Sequence, residues 1–527
     1  MIALRGRWAL TFGALAIVTI ASASPTLAQS KEPFPGLDAY ITKAVQTWKI
    51  PGMSVAIVRN DSVLYTKGFG VLSVSNPKPV DDQTLFEIGS SSKAFTATLV
   101  AMLVTDGKMR WDEHLTTYLP GFKMYDPVAN EDLTLRDALT HRSGIARGEL
   151  AWLGSGVSRD EVLHRVRFLK PESPFRSRYS YQNMMFLAAG EAAGKAAGST
   201  WDDLVKQRIF VPLGMTSTVS SSRGLTTSNV AQGHGMSHDT AFVKPPFNAE
   251  NIAPAGAILS NAKDMAQWLR FQLNDGQVNG KRLVSTQALK EIHSPQILTS
   301  PGAGGGRGGG GDTIPATRFT SYGMGWFVED YHQQLRWQHG GNTLGMTAAV
   351  GMLPEKRLGV AVLSNMQSAA LPGIIMDYVM DRELGLPMKD LSNDAYTRAL
   401  TQRRRADSVE MANAAQHPTD AKPPLPLTAY TGAFADSLYG DVTVAVKDGH
   451  LELERGEWHG PLQYWNATNF RWTILPGAPT GPMFIKFEIS PDNVVTGLWF
   501  GLAGDATLLN RKGGGGRGGR GGRGGTP

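Results

Sequence analysis

Residues 387–426 divide this chain into two stretches whose hydrophobic patterns do not share one fold. Upstream, apolar positions recur with helical spacing in some segments and with strand alternation in others. Downstream, only short alternating runs occur. The divider is polar, Arg-rich at Arg403-Arg404-Arg405, and closes on Pro423-Pro424-Leu425-Pro426. That composition reads as a linker with one helix. An α+β domain at 29–386 followed by a small all-β domain at 427–510 is the expected organisation.

In the first domain, Met53–Val58 reads as a strand, Asn60-Asp61 as a turn and Val63–Tyr65 as the hairpin partner. Helical spacing marks Ala94–Leu103, Leu135–Leu139, Glu161–Phe168, Met184–Ala193 and Ala262–Leu273. Strands return at Gly325–Glu329, Leu335–Gln338, Thr347–Met352 and Gly359–Leu363. Early strands, a helical middle and late strands predict one sheet that joins both ends of the domain. In the second domain, Val442–Lys447 and His450–Glu454 flank Asp448-Gly449, a favoured hairpin dipeptide. The strand rhythm continues to Leu509, which predicts a small antiparallel sheet or barrel.

The ends differ from the body. Arg5 and Arg7 precede an apolar run from Trp8 to Ala23, and Thr26-Leu27-Ala28 follows. This is the pattern of a secretory signal peptide, with cleavage after Ala28 and a periplasmic or secreted product. No other apolar run is long enough to span a bilayer. Residues 511–527 form an Arg/Gly tail, and a second Gly-rich tract with Arg307 lies at 302–311. Neither carries apolar groups to bury, so both are expected to be disordered. The net charge of +6 comes largely from the two ends, which leaves a near-neutral body and argues against a specific nucleic-acid partner. With no cysteine in 527 residues, disulfides, thiolate metal sites and a cysteine nucleophile are excluded.

Chemistry concentrates in three places. Ser90 and Lys93 stand three apart at the entry to the apolar Ala94–Leu103 helix, which places them on one face. A serine hydroxyl becomes nucleophilic only when a base takes its proton, and a buried lysine can be that base. The same spacing recurs at Ser75/Lys78, where Pro77 argues for a loop, and at Ser260/Lys263, which reads as a helix N-cap. Tyr181-Gln182-Asn183 precedes the helix at Met184 and supplies a phenol and an orienting amide. Tyr464/Asn466 repeats this spacing in the all-β domain and reads as packing. Third, His339-Gly340-Gly341-Asn342 follows a strand, with glycines that let backbone approach a substrate closely. Each element alone also has a bland reading: a helix start, a buried aromatic, a turn with a surface histidine. His234, His238 and Asp239 have ligand-like spacing but sit in a Gly/Ser-rich loop, so no metal site is expected.

Together and in this order, the three elements resemble the penicillin-recognising serine hydrolases, especially the class C β-lactamase-like esterases and peptidases. Further phrases carry the likeness: Leu139-Thr140-His141-Arg142-Ser143-Gly144, Pro212-Leu213-Gly214-Met215 and Ala255-Gly256. The stretch around Leu438-Tyr439-Gly440-Asp441 resembles the lipocalin-like domain appended to some members. The resemblance implies a β-lactamase/transpeptidase-like fold, an antiparallel sheet plus a helical domain, with a small barrel behind it. It further implies an acyl-enzyme on Ser90, proton transfer by Lys93 and Tyr181, and orientation by Asn183. The backbone N–H groups of Ser90 and Asn342 would form the oxyanion hole, with Gly340, Gly341 and His339 beside the substrate. No metal or other cofactor is implied, and the partner would be a small-molecule or peptide substrate. Where β-lactamases of the family carry Lys-Thr-Gly, this chain has His339-Gly340-Gly341. The fixed ammonium that attracts a β-lactam carboxylate is missing, so an ester or peptide bond is the expected target. The alternative is a catalytically weak member of the fold that holds peptidoglycan fragments or an envelope partner.

Overall fold

In the computed structural model, the described residues are 33–223, 225–237, 239–300, 316–415, 421–474, 483–501 and 506–512. Residues 1–32, where a signal peptide is expected, the 302–311 tract, His238 and the tail beyond residue 512 lie outside them. Among the described residues, no helix is long and apolar enough to cross a membrane.

The first part is built on an eight-stranded antiparallel sheet. Its order is Ser62–Gly70, Gly52–Arg59, Leu358–Ser364, Thr347–Leu353, Gln334–Asn342, Phe327–Tyr331, Thr317–Tyr322 and Ile297–Thr299. The last strand in sequence, Leu358–Ser364, pairs with the first, Gly52–Arg59, so the sheet joins both ends of the domain. Both strands are buried on both faces, and alternate side chains enter two different cores. Val55, Ile57, Val360 and Val362 pack under Leu37–Trp48 and Leu371–Glu383. Ala56, Val58, Ala361 and Leu363 pack under the central helices.

Boundaries depart from the sequence reading where local chemistry is subtle. Asn60 and Asp61 both adopt positive φ, which gives the tight hairpin expected. Gly325 turns at φ 76°, so the strand there begins at Phe327 rather than Gly325. Two outer strands, Thr317–Tyr322 and Ile297–Thr299, escape the sequence reading because their polar, short runs carry little alternation. The helix after Ser260 is capped one residue later than expected: Asn261 Oδ1 accepts from Asp264 N at 2.8 Å, while Ser260 Oγ bonds Thr218. His339-Gly340-Gly341-Asn342 lies inside the strand Gln334–Asn342, not in a turn after it, and the histidine is 2% exposed.

The linker region folds largely as one helix, Leu391–Ala415, whose start docks back on the first helix. Trp48 Nε1 donates to Ser392 Oγ at 2.9 Å. Beyond it, eight antiparallel strands from Gly432–Asp436 to Thr507–Arg511 close into a barrel. Val442, Val444, Leu451, Leu453, Ile485 and Phe487 alternate into its core. The turn Asp448-Gly449 has both φ values positive, as its residues require. Tyr464 packs edge-on against Phe470, 5.5 Å between centroids, which is the packing role expected of it.

Candidate active site

The helix Ser92–Thr105 is apolar all round, and its residues through Leu103 are buried. Such a helix belongs in a core, and it carries Lys93 there with it. Ser90 sits just before it, in the short 3-10 turn Gly89–Ser91, and stays partly exposed. Lys93 Nζ lies 3.1 Å from Ser90 Oγ, 2.7 Å from Asn183 Oδ1 and 2.8 Å from Ala255 O. Burial holds its pKa well below the ordinary lysine value, and Arg147 pushes the same way against an opposing pull from Glu149. A neutral amine has two N–H groups and one lone pair. Asn183 Oδ1 and Ala255 O can only accept, so in the neutral form they would take both N–H groups and leave the lone pair toward Ser90.

Tyr181 reaches the same oxygen from the other side, its hydroxyl donating to Ser90 Oγ at 2.7 Å. Burial raises its pKa, against smaller downward pulls from the Ser90 bond and Arg147. The phenol therefore stays protonated. Asn183 opens the helix Asn183–Ala197, and Gln182 caps that helix by accepting from Met184 N at 2.9 Å.

The third element closes the site from the sheet. On Gly341, a Cβ would stand 1.8 Å from Ile88 O and 3.1 Å from Ser90 N. On Gly89, a Cβ would stand 2.7 Å from Asn342 N. The strand and the Ser90 turn therefore touch backbone to backbone, and no side chain fits between them. Asn342 is exposed at this edge, and its Oδ1 accepts from Thr347 Oγ1 at 3.1 Å. The His339 ring is buried: Nδ1 donates to Gly340 O at 2.6 Å, and Nε2 accepts from Tyr322 Oη at 3.1 Å. Burial, with Lys93 nearby, depresses its pKa to about 3, so it is neutral rather than partly charged near pH 7.

Four further residues belong to this arrangement. Glu149 accepts from Asn183 Nδ2 at 3.0 Å and from Arg147 Nε at 2.5 Å. Arg147 stands 5.1 Å from the Tyr181 ring centroid. His141 accepts at Nδ1 from Gln182 N at 3.0 Å and packs 4.3 Å from the Tyr181 ring. Tyr322 partners His339. His141 stands in a phrase that the resemblance flags, but its contact with Tyr181 has no sequence signature. Arg147, Glu149 and Tyr322 lie in segments without periodicity or motif.

His234 is a structural residue, held by Asn365 O at 2.9 Å and Val74 N at 3.2 Å. Among the described residues, no group of three or more His, Asp or Glu side chains could hold a metal ion.

Known proteins agree with this architecture. Residues 37–381 match the family described as Beta-lactamase, and residues 416–508 match one described as a domain of unknown function (DUF3471). Unguisins hydrolase ungD of Aspergillus violaceofuscus (strain CBS 115571) is 26% identical over 451 residues, covering 79% of this chain and 77% of that protein. The octameric penicillin-binding protein homologue from Pyrococcus abyssi superposes with a TM-score of 0.59 at 22% identity, over 90% of this chain and 99% of that one. A D-stereospecific amidohydrolase from Streptomyces sp. superposes with a TM-score of 0.53 at 19% identity, over 64% and 97% respectively. At these identities the two structures speak for the fold alone. The chain belongs to the Beta-lactamase family and is a hydrolase of the β-lactamase fold with a closed eight-stranded barrel behind it.

Proposed function

We propose that this protein is an exported serine hydrolase that cleaves an ester, amide or peptide bond through an acyl-enzyme on Ser90. One observation carries the reading: Ser90 Oγ lies between Lys93 Nζ at 3.1 Å and the Tyr181 hydroxyl at 2.7 Å. In this reading the Ser90 proton passes to the neutral amine of Lys93 as Oγ attacks the carbonyl carbon. The N–H groups of Ser90 and Asn342 receive the developing oxyanion. When the bond to the leaving group breaks, Tyr181 donates the proton that the leaving group needs, and Lys93 returns one to the phenolate. Water then attacks the acyl carbon, gives up a proton to the same pair, and Ser90 leaves with its own proton restored.

The substrate reading rests on His339. A neutral imidazole with both nitrogens engaged inside the protein offers no fixed cation to a β-lactam carboxylate. Esters and peptides lose less by its absence, so we assign them as the substrate class. The competing reading, a weakly catalytic binding protein, is disfavoured by Lys93. A scaffold that only binds gains nothing from burying an amine against a serine, and the burial carries an electrostatic cost.

Activity-based labelling with a fluorophosphonate, followed by peptide mapping, tests the nucleophile. The adduct is expected on Ser90; modification of Ser91, Ser75 or Ser260 instead defeats the assignment. A panel of p-nitrophenyl esters, D- and L-amino-acid anilides and nitrocefin tests the substrate class. A nitrocefin kcat/KM above every ester and anilide overturns it. Export is tested by N-terminal sequencing of the mature protein, expected to start at Gln29.

A further inference from the structure

The turn that carries Glu149 is held from two sides by buried arginines. Arg455, at the end of barrel strand His450–Arg455, is 2% exposed. Its Nη1 donates to Leu153 O at 3.0 Å, its Nη2 donates to Leu150 O, and its Nε donates to Tyr439 O at 3.4 Å. Its guanidinium also faces the Phe500 ring at 5.2 Å. Arg165, from the helix Arg159–Arg165, donates Nη1 to the intervening Ala151 O at 3.1 Å and Nε to Glu161 Oε1 at 2.9 Å. Two guanidiniums, one from each part of the chain, thus take three carbonyls of one short turn. A rigid planar fork suits that task, because several donors are fixed at once.

The same turn leads to both acceptors of Lys93. Glu149 opens it and holds the Asn183 amide, whose oxygen takes one Lys93 N–H. Trp152 O, also in the turn, accepts from Asn251 Nδ2 at 2.9 Å. Asn251 precedes Ala253–Gly256, where Ala255 O takes the other N–H. The barrel reinforces the grip next door: Glu457 N donates to Gly154 O at 3.0 Å, and Glu457 Oε1 accepts from Asn248 Nδ2 at 2.6 Å.

We propose that Arg455 is a positioning residue of the hydrolase site, a barrel side chain that fixes the Leu150–Leu153 turn and through it the Glu149–Asn183–Lys93 chain. This inference rests on the reading of Lys93 as the base. Its function is geometric. Losing the guanidinium leaves the buried carbonyls of Leu150 and Leu153 without their donor, so the turn relaxes and Glu149 moves with it. Displacements of about 1 Å in such supports can cost on the order of 10²-fold in rate.

The test uses the full chain and four variants: R455A, R455K, E149A and the double variant R455A/E149A. With the best ester substrate, R455A is expected to lower kcat by about 10-fold or more while KM changes less. R455K, which keeps a cation but not the fork, should fall between it and the wild type. Because Glu149 is one of the two routes from this turn to Lys93, the double variant should lose clearly less than the two single losses combined. Additive losses, or an R455A protein of native melting temperature with kcat within about twofold of wild type, overturn the proposal. Hydrogen exchange over residues 146–155 reads the grip without any substrate. It should rise in R455A and, to a smaller degree, in R455K; unchanged exchange also overturns the proposal. If R455A does not fold, R455K decides alone, with a several-fold loss of kcat expected and none defeating the idea. A wild-type chain that shows no Ser90-dependent hydrolysis defeats the catalytic reading instead, and the exchange measurement then still judges the grip.

Discussion

The Tyr181 hydroxyl and Ser90 Oγ stand 2.7 Å apart across ninety-one residues of sequence. Burial keeps the phenol protonated, and burial pushes the neighbouring Lys93 well below its ordinary pKa. One environment therefore favours the protonated phenol and the neutral amine that the proposed mechanism needs on the same oxygen. Lys93→Ala and Tyr181→Phe should each lower kcat/KM by roughly 10²–10⁴-fold, the range for lost general acid–base help. Circular dichroism should stay near wild type in both; the melting temperature should hold in Tyr181→Phe and fall in Lys93→Ala, which leaves Asn183 Oδ1 and Ala255 O without their donor. Wild-type rates in either variant would remove that residue from the mechanism.

The pH profile should report Lys93. The base acts unprotonated, so kcat/KM should rise with pH through a pKa lying far below the usual lysine range. Glu149 opposes that depression, because its negative charge favours the ammonium. Glu149→Gln removes the opposing charge and lowers the Lys93 pKa further. The acid limb of the profile should then move to lower pH. A shift to higher pH would contradict the electrostatic assignment of Glu149.

Gly341→Ala tests the backbone contact between the sheet and the Ser90 turn. The new methyl meets Ile88 O at 1.8 Å, so the strand or the turn must move. Both carry an amide assigned to the oxyanion hole, so acylation by a fluorophosphonate should slow by about 10²-fold or more. Stopped-flow labelling measures this directly, and an unchanged rate would place the oxyanion hole elsewhere.

Stability should fall on acidification for a separate reason. His293 is stacked on Trp337 at 3.8 Å, and burial depresses its pKa to about 3. Unfolded, it protonates near pH 6.5. Between those values the unfolded state binds the extra proton, so the folded state loses ground as pH falls. The slope is up to about 1.4 kcal/mol per pH unit for one such histidine. His339 and His141 are depressed in the same direction and add to it. Urea titrations at pH 5 and 6 should show the loss, and His293→Phe should reduce it by close to one proton. An unchanged slope in that variant would mean His293 protonates equally in both states.

Several features of the site are legible in the sequence because they depend on local spacing. Ser90 and Lys93 are one helical turn apart in any helix, and an apolar run downstream guarantees burial. The glycines of His339-Gly340-Gly341 announce a close backbone approach, although not its partner, Ile88 O. Asn60-Asp61 and Asp448-Gly449 name their turns through the φ values they tolerate.

Other features have no local signature. Glu149, Arg147 and Tyr322 enter the site only because the chain returns to it from loops and an outer strand with no pattern of their own. The state of His339 is likewise a tertiary fact. A sequence can say that an imidazole replaces an ammonium, but only its burial against Tyr322 and near Lys93 decides that it stays neutral. The sequence by itself determined the early strands, helical middle and late strands, the buried helix after Ser90 and the two-part organisation, since these follow from periodicity and turn chemistry. Tertiary structure decided which loops reach Lys93 and which side chains lose water. Desolvation and long-range charge depend on distances in space, and spacing along the chain does not encode them.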